Sequence, residues 1–499
     1  MHAQFLLADK LILIFYFLAV ILFGAYFRKK SSSSSGFMIA DGRLPSWAVG
    51  LSILGTFVSS ITFLAYPGQA YNANWDVFLF SLTLPPAALI ATFYFIPLYR
   101  TRVKVSAYEY LEQRFGPWAR IYGSISFMLG SLARIGMILF LVSLVLHHLT
   151  GWSYGTIIIV TGIGVTCYTM LGGIEAVVWT DVVQVIILFS GALVSIIILF
   201  AGMPEGPGQL FEIATQKQKF SLGSWQPELI APTAWVVLLY GIIENLRNFG
   251  VDQNYVQRYQ VTQSVKDARR SVWIAAIAYI PVSALFLFIG TALFSFYTAN
   301  AQLLPPALEG SLAGDKIFPY FIATQFPVGL RGLLIAAIFA AAMSSIDSSL
   351  NCVSTVTLLD FYKRHINPGA DEKKSIHLLR IYTVIWGVAG TLTGLAMIQV
   401  RTALETGWKL AGIAGGGLVG LFLLGLMCRW VKPWQAVTAV LASIMSICWA
   451  TFARDLPQQW NWLECAWNSR MIGVIGTITL LIVGIGLGIL TVKRKPDSF

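Results

Sequence analysis

The sequence predicts an all-α integral membrane protein, and its composition and its long apolar segments support this fold class. Hydrophobic residues make up 57% of the 499 residues, charged residues make up only 11%, and the mean hydropathy is +0.71. Soluble chains carry roughly 25% charged residues, so too little polar surface is available to keep this chain in water. The composition also excludes a disordered chain, a coiled coil, a disulfide-rich secreted domain and a nucleic-acid-binding protein.

The long apolar segments are predicted to be membrane-spanning helices. A helix rises about 1.5 Å per residue, so crossing the ~30 Å hydrocarbon core takes about 20 apolar residues. About thirteen segments approach or exceed this length: 8–28, 46–66, 77–99, 122–149, 153–172, 174–202, 232–252, 271–298, 328–360, 378–400, 405–428, 433–453 and 472–493. We do not expect the first to be a cleavable signal peptide, because its basic run follows the apolar segment and no small-residue cleavage site precedes that run.

The positive charges predict the orientation of these spans. Lys and Arg cluster beside apolar segments, at 28–30, 100–104, 266–270, 363–364 and 493–495. An external amino terminus would place about 23 of the 34 Lys and Arg residues on the cytoplasmic side, where such residues are enriched. We therefore expect a multi-pass protein of the cell inner (plasma) membrane, with its amino terminus outside and its carboxyl terminus in the cytoplasm.

Two apolar spans carry oxygen-bearing side chains at their centres. The second span holds Gly55, Thr56, Ser59, Ser60 and Thr62 ahead of Pro67, and the ninth holds Ser344, Ser345, Asp347, Ser348 and Ser349. A helix interrupted in the second span would free backbone carbonyls near the membrane midplane. Oxygen ligands without sulfur or imidazole favour an alkali or alkaline-earth ion over zinc or copper. Taken alone, however, a serine-rich span often serves helix packing.

Ionisable residues within the spans are further candidates, because charge at bilayer depth is costly. Glu244 and Arg247 lie three residues apart on a predicted helix, so they can neutralise one another. Arg134 has only apolar neighbours on its own helix, and its guanidinium suits a carboxylate, either of the protein or of a substrate. Asp181 and Asp347 complete this set. No GxxxxGK[ST] motif occurs in the sequence, so ATP is not expected to drive transport directly.

These motifs resemble the sodium:solute symporter family, which includes sodium-coupled transporters of sugars, iodide, vitamins, proline and sialic acid. The resemblance covers most of the chain and rests on residues 50–68, 171–181, 256–259 and 340–351. Residues 59–63, residues 106–112 and Arg134 look closest to the bacterial sialic acid transporters.

The resemblance implies a core like that of the bacterial leucine transporter, with two inverted five-helix repeats. The first repeat would comprise residues 46–202 and the second residues 232–428. Residues 1–30 would form an additional N-terminal helix, and residues 433–499 two further helices and a short cytoplasmic tail.

The resemblance also implies a set of ligands. A sodium ion would lie between the broken helix and the ninth span, held by the carbonyls of Gly55, Val58 and Ala341 and the hydroxyls of Ser344 and Ser345. A second sodium would fall among Asp181, Ser344, Asp347 and Ser348. Asp347 replaces a hydroxyl residue of the sialic acid transporters, so whether it binds sodium or a proton stays open.

The implied substrate pocket combines matches with departures. Ser59, Thr62 and Arg134 match the positions that bind sialic acid, with Arg134 meeting the carboxylate. Phe57 replaces a hydroxyl residue, Val77 an aromatic residue and Ser81 an amide.

We therefore predict a sodium-coupled secondary active symporter that imports a small polar organic solute by alternating access. Sialic acid or another carboxylated sugar is the first candidate, and a neutral sugar or other organic solute is the alternative. An intramembrane aspartyl protease using Asp181 and Asp347 is a rival, as is a transporter-like sensor. The expected partners are sodium, the solute and the lipid bilayer, without nucleic acid, an organic cofactor, enzymatic activity or an obligate protein partner.

Overall fold

The computed structural model describes residues 6–29, 31–58, 60–308, 314–399, 415, 417–453 and 458–492. Its principal helices are α1 (Leu7–Tyr26), α2 (Ser46–Phe57), α3 (Ser60–Asn72), α4 (Phe78–Arg102), α5 (Pro117–Thr150), α6 (Tyr154–Ala201), α7 (Ala234–Gly250), α8 (Gln253–Val261), α9 (Val265–Ala299), α10 (Leu330–Val356), α11 (Glu372–Met397), α12 (Leu418–Met427), α13 (Pro433–Phe452) and α14 (Met471–Val492). Shorter helices lie in the connecting segments. Within the described ranges the all-α prediction is confirmed.

Nine helices of the described chain are long and apolar enough to cross a membrane, or ten if α2 and α3 form one bent span. The predicted total of about thirteen stays a prediction, because part of the eleventh span, 405–428, lies outside the described residues. The predicted fifth and sixth spans are joined in α6, whose 48 residues would extend about 72 Å if straight, more than twice the hydrocarbon thickness.

The helix α6 is kinked at Gly173, the residue between the two predicted spans. Its backbone angles, φ 59° and ψ −159°, interrupt the helix and are accessible mainly to glycine. A Cβ atom at this position would lie 2.9 Å from the Cα of Phe37. This kink divides α6 into two halves, and each half is long enough for one membrane span.

The second predicted span is broken, as expected from its sequence. The helix α2 ends at Phe57, and Val58 leaves the helical conformation with φ −83° and ψ 77°. The chain then enters α3, which contains Pro67, and the two helices meet at an angle of 53°. The candidate Ser59, which joins them, lies outside the described residues.

A second break separates α7 from α8. Val251 adopts φ −138° and ψ −33°, and the side chain of Asp252 then caps α8 by accepting a hydrogen bond from the backbone of Asn254. The predicted seventh span, 232–252, ends near this point, and α8 was not predicted from the sequence. The two breaks pack against each other: the ring centroid of Phe57 lies 5.2 Å from that of Phe249 in α7 and 4.7 Å from that of Tyr255 in α8.

The helix α10 lies at the centre of the bundle, and 94% of its most apolar stretch is buried. It packs against α5, α6 and α11, while α1 lies across both α6 and α10. This arrangement places the serine-rich part of α10 beside the break between α2 and α3.

Candidate functional site

Three of the predicted cation ligands meet at one hydroxyl group. Ser344 of α10 is almost completely buried, and its hydroxyl lies 3.2 Å from the carbonyl oxygen of Gly55 in α2 and 3.1 Å from that of Ala341. Gly55 belongs to the last turn of α2, where a helix leaves its carbonyl groups without intrahelical partners. Ser344 therefore bridges the broken helix and the central helix.

The other two predicted ligands, Val58 and Ser345, are close in sequence to the residues of this bridge. Val58 stands at the break itself and is 3% exposed. The hydroxyl of Ser345 is fully buried and has no hydrogen-bond partner among the described residues. Leaving such a group unsatisfied costs about 1–3 kcal/mol, so Ser345 is a candidate ligand for a bound cation.

A buried ion pair lies on the adjacent face of α10. The Arg258 guanidinium donates to Asp181 Oδ2 at 3.0 Å and to the Ser348 hydroxyl at 2.7 Å, while its Nε donates to Ser52 at 2.8 Å. Both charged side chains are fully buried. Ser52 also donates to Asp181 Oδ2 at 2.5 Å, whereas Oδ1 of Asp181 has no hydrogen-bond partner in the described structure.

Neither Arg258 nor Ser52 was predicted from the sequence to belong to the site. Arg258 stood within the 256–259 stretch that carried the family resemblance, and a single cation among polar residues was the available signal. Ser52 gave no signal, because one serine in an apolar helix is ordinary.

Asp347 takes a different partner from Asp181. Its Oδ2 accepts a hydrogen bond of 2.5 Å from the hydroxyl of Tyr168 in α6, and its Oδ1 lies 3.2 Å from the Ser348 hydroxyl. The Ser348 hydroxyl also lies 2.7 Å from the carbonyl of Ser344. The four residues predicted for a second cation are thus linked through hydrogen bonds and Arg258.

Three of the predicted substrate residues lie around the break between α2 and α3. Arg134 is half-buried, and its Nη2 donates to the carbonyl of Thr56 at 3.0 Å. It forms no ion pair with any described residue, so further donors of its guanidinium are available. Phe57 packs against Phe249, Tyr255 and Tyr279, and the Thr62 hydroxyl lies 3.3 Å from the Phe57 carbonyl.

The remaining substrate candidates lie at the beginning of α4. Val77 is half-buried, and its backbone donates to Asp76 at 2.8 Å. Ser81 is fully buried. The Ser81 hydroxyl has no hydrogen-bond partner among the described residues.

The predicted neutralisation of Glu244 by Arg247 is confirmed. The Arg247 guanidinium donates to both carboxylate oxygens of Glu244, at 3.0 and 2.5 Å, and also approaches Asp252 at 3.7 Å.

Comparison with known proteins identifies the family. The sodium:solute symporter family model matches residues 37–442. The chain belongs to this family. Its relatives include the sodium/sialic acid symporter SiaT of Proteus mirabilis, 34% identical over 94% of this chain and 92% of the relative. The sodium/sialic acid symporter NanT of Aliivibrio fischeri is 35% identical over 93% of this chain and 90% of the relative.

Solved structures show the same fold. The substrate-bound outward-open state of a sodium-coupled sialic acid symporter aligns with a TM-score of 0.89 at 30% identity, over 98% of both chains. The nucleobase-cation symporter Mhp1 in a closed conformation aligns with a TM-score of 0.57 at 13% identity, over 92% of this chain and 95% of that one, which shows the fold alone. The predicted family, the LeuT-like fold and the class of sodium-coupled solute symporter are confirmed, and the chain is a multi-pass membrane protein.

Proposed function

We propose that this symporter imports sialic acid, or another carboxylated sugar, together with sodium. The proposal is supported by two sialic acid symporters that are related over at least 90% of each sequence. The observation that carries the sodium coupling is the Ser344 hydroxyl, which lies within hydrogen-bond distance of the Gly55 carbonyl in α2 and the Ala341 carbonyl in α10.

We assign the coupling sodium to the carbonyl oxygens of Gly55, Val58 and Ala341 and the hydroxyls of Ser344 and Ser345. The ligand chemistry fits an alkali cation, because every donor is an uncharged oxygen. The unpartnered Ser345 hydroxyl supports the assignment, since a cation would satisfy it. A sodium ion at this position would join α2 to α10.

We further propose a second sodium among Asp181, Ser344, Asp347 and Ser348. Two carboxylates and the single guanidinium of Arg258 give this buried cluster a formal charge of −1, which one more cation would neutralise. The free Oδ1 atom of Asp181 supports this assignment, because a carboxylate oxygen without a donor is a ready cation ligand.

Arg134 is proposed to bind the carboxylate of the substrate. Its guanidinium lies beside the helix break and has donors beyond the one used by Thr56. Ser59, Thr62 and Phe57 would surround the same substrate from the break, and Val77 and Ser81 from α4. If the substrate were a neutral sugar, Arg134 would serve the protein's structure instead.

Alternating access would couple these sites. Sodium stabilises the junction of α2 and α10 and so favours the conformation that accepts substrate. At 100 mV each sodium supplies about 2.3 kcal/mol, and a tenfold gradient supplies about 1.4 kcal/mol more. Two ions supply about 7 kcal/mol, and about 5 remain after one substrate anion moves against the potential. That supports roughly thousandfold accumulation or more.

The remaining assignments follow the transport proposal. We propose no enzymatic activity, because Asp181 pairs with Arg258 and Asp347 with Tyr168, whereas a protease dyad needs two carboxylates that share a proton. We propose the two inverted repeats at 46–202 and 232–428, the plasma membrane as location, and an external amino terminus. We propose no organic cofactor, nucleic acid or obligate protein partner.

Uptake into proteoliposomes tests this function. Labelled sialic acid should accumulate when an inward sodium gradient is imposed and should not when choline replaces sodium. Neutral sugars, monocarboxylates and vitamins belong in the same panel. Sodium-dependent uptake of a neutral sugar alone would contradict the substrate, and the absence of sodium-dependent uptake or binding for every solute would contradict sodium coupling.

A further inference from the structure

The helix α1, which lies outside the proposed repeats, packs across α6 and α10, two of the helices that carry proposed cation ligands. At one end, Gly332 of α10 approaches α1 so closely that a Cβ atom there would lie 2.8 Å from the Cα of Asp9. In the middle, the rings of Phe17 and Phe339 are 4.9 Å apart. Beyond the other end, the Ser31 hydroxyl donates to the Gly172 carbonyl of α6 at 2.5 Å. The helix α1 and the segment after it are therefore joined to α6 and α10 at three separate points.

Asp9 anchors the first of these contacts. Its side chain is fully buried, and its Oδ1 accepts hydrogen bonds from the backbone amides of Gly329 at 2.9 Å and Gly332 at 3.0 Å. These amides lie at the N-terminus of α10, where a helix has unsatisfied N–H groups and a partial positive charge. An N-terminal cap usually comes from the residue just before its helix. Here it comes from 320 residues away in the sequence.

Tyr16 links the middle of α1 to residues beside the ligands. Its hydroxyl accepts a hydrogen bond from Gln184 at 3.3 Å and lies 4.0 Å from the sulfur of Met343. Gln184 is close in sequence to Asp181, and Met343 directly precedes Ser344. The helix α1 thus contacts α6 and α10 next to the proposed cation sites.

We propose that Asp9 is a positioning residue for sodium binding. Its carboxylate fixes the N-terminal end of α10, and the rigid helix transmits that constraint over about 21 Å to Ser344. Holding α10 in place keeps the hydroxyls of Ser344 and Ser345 opposite Gly55 in the absence of the ion. Less of the sodium binding energy is then spent on ordering the site. This inference rests on the sodium assignment proposed above.

The test compares Asp9→Ala and Asp9→Asn in the purified full-length chain, with sodium-dependent thermal stabilisation and uptake as readouts. Asp9→Ala should raise the sodium concentration for half-maximal effect severalfold. Asp9→Asn, which keeps an acceptor oxygen but loses the charge, should raise it less. Asp371→Ala is the matched control, because Asp371 caps α11 through the amide of Lys374 at 2.7 Å, and α11 carries no proposed ligand.

The possible outcomes separate this inference from the proposed function. If Asp9→Ala lowers the melting temperature but keeps the wild-type sodium curve, Asp9 serves stability only and the proposal is wrong. If Asp9→Ala does not fold, Asp9→Asn decides by the same criterion. If the wild-type protein shows no response to sodium, the sodium assignment itself fails.

Discussion

The hydroxyl of Ser344 donates toward the backbone carbonyl of Gly55 across a distance of 3.2 Å. The two residues are 289 positions apart in the sequence and belong to different proposed repeats. Their contact joins a helix end with free carbonyls to a buried helix rich in hydroxyls. A cation at this junction would therefore stabilise one relative position of the two helices, which is what coupling of an ion to a conformational change requires.

Ser345→Ala should raise the sodium concentration for half-maximal uptake by about tenfold, because one ligand worth about 1.4 kcal/mol is removed. The matched control is Ser349→Ala, one turn further along the same helix face. The Ser349 hydroxyl already bonds to the Ser345 carbonyl at 2.9 Å, so its loss should leave the sodium curve unchanged. Equal curves for wild type and Ser345→Ala would remove Ser345 from the ligand set.

Arg134→Ala should weaken binding of an acidic substrate by roughly 10- to 100-fold at saturating sodium, since hydrogen bonds to charged groups contribute about 1.5–3 kcal/mol. Arg134→Lys should recover part of this loss, because the charge returns without the planar fork. Substrate affinity is measured by calorimetry or by competition for uptake.

Arg269→Lys provides the control for Arg134→Lys. Arg269 also donates to a backbone carbonyl, that of Thr92 at 3.0 Å, but it is exposed at the start of α9. Its substitution should leave affinity unchanged. Unaltered affinity in Arg134→Ala would instead assign Arg134 to the structure of the helix break.

Local sequence features predicted the two interruptions that depend on local chemistry. The break after Phe57 was foreseeable because hydroxyl residues and Pro67 weaken an otherwise apolar span. The boundary at Gly173 was foreseeable because a glycine pair separates two apolar runs. In both places the residues that interrupt the helix are neighbours in the chain.

The sequence did not predict α8 or the role of Asp9, because both depend on distant partners. The helix α8 is polar yet buried, and two of its side-chain amides donate hydrogen bonds to other segments. The Gln253 side chain donates to the carbonyl of Val105 at 3.0 Å, and the Gln257 side chain donates to that of Met38 at 2.6 Å. Asp9 lies near the start of an apolar helix, where a charged residue normally faces water. Periodicity cannot show either arrangement, since it reports only on one segment at a time.

Arg258→Met should destabilise the protein by about 3–5 kcal/mol, because it leaves the buried Asp181 carboxylate without its partner. The double variant Asp181→Asn/Arg258→Met should be less destabilised than the sum of the two single variants, since no unpaired charge remains. Thermal unfolding in detergent at fixed sodium gives the comparison. Additive losses would indicate that the two side chains do not interact energetically despite their 3.0 Å contact.

Asp347→Ser should weaken sodium binding if the carboxylate is a ligand of the second ion, because the cluster of Asp181, Asp347 and Arg258 then has no net negative charge to attract a cation. We expect the half-maximal sodium concentration to rise by about tenfold or more, equivalent to at least ~1.4 kcal/mol. Tyr168→Phe is the matched variant: it removes the 2.5 Å hydrogen bond to Asp347 but keeps the carboxylate, so it should shift the sodium curve much less.

An Asp347→Ser curve identical to wild type would exclude Asp347 from the sodium sites. A Tyr168→Phe shift as large as that of Asp347→Ser would mean that the orientation of Asp347, and not its charge, governs sodium binding.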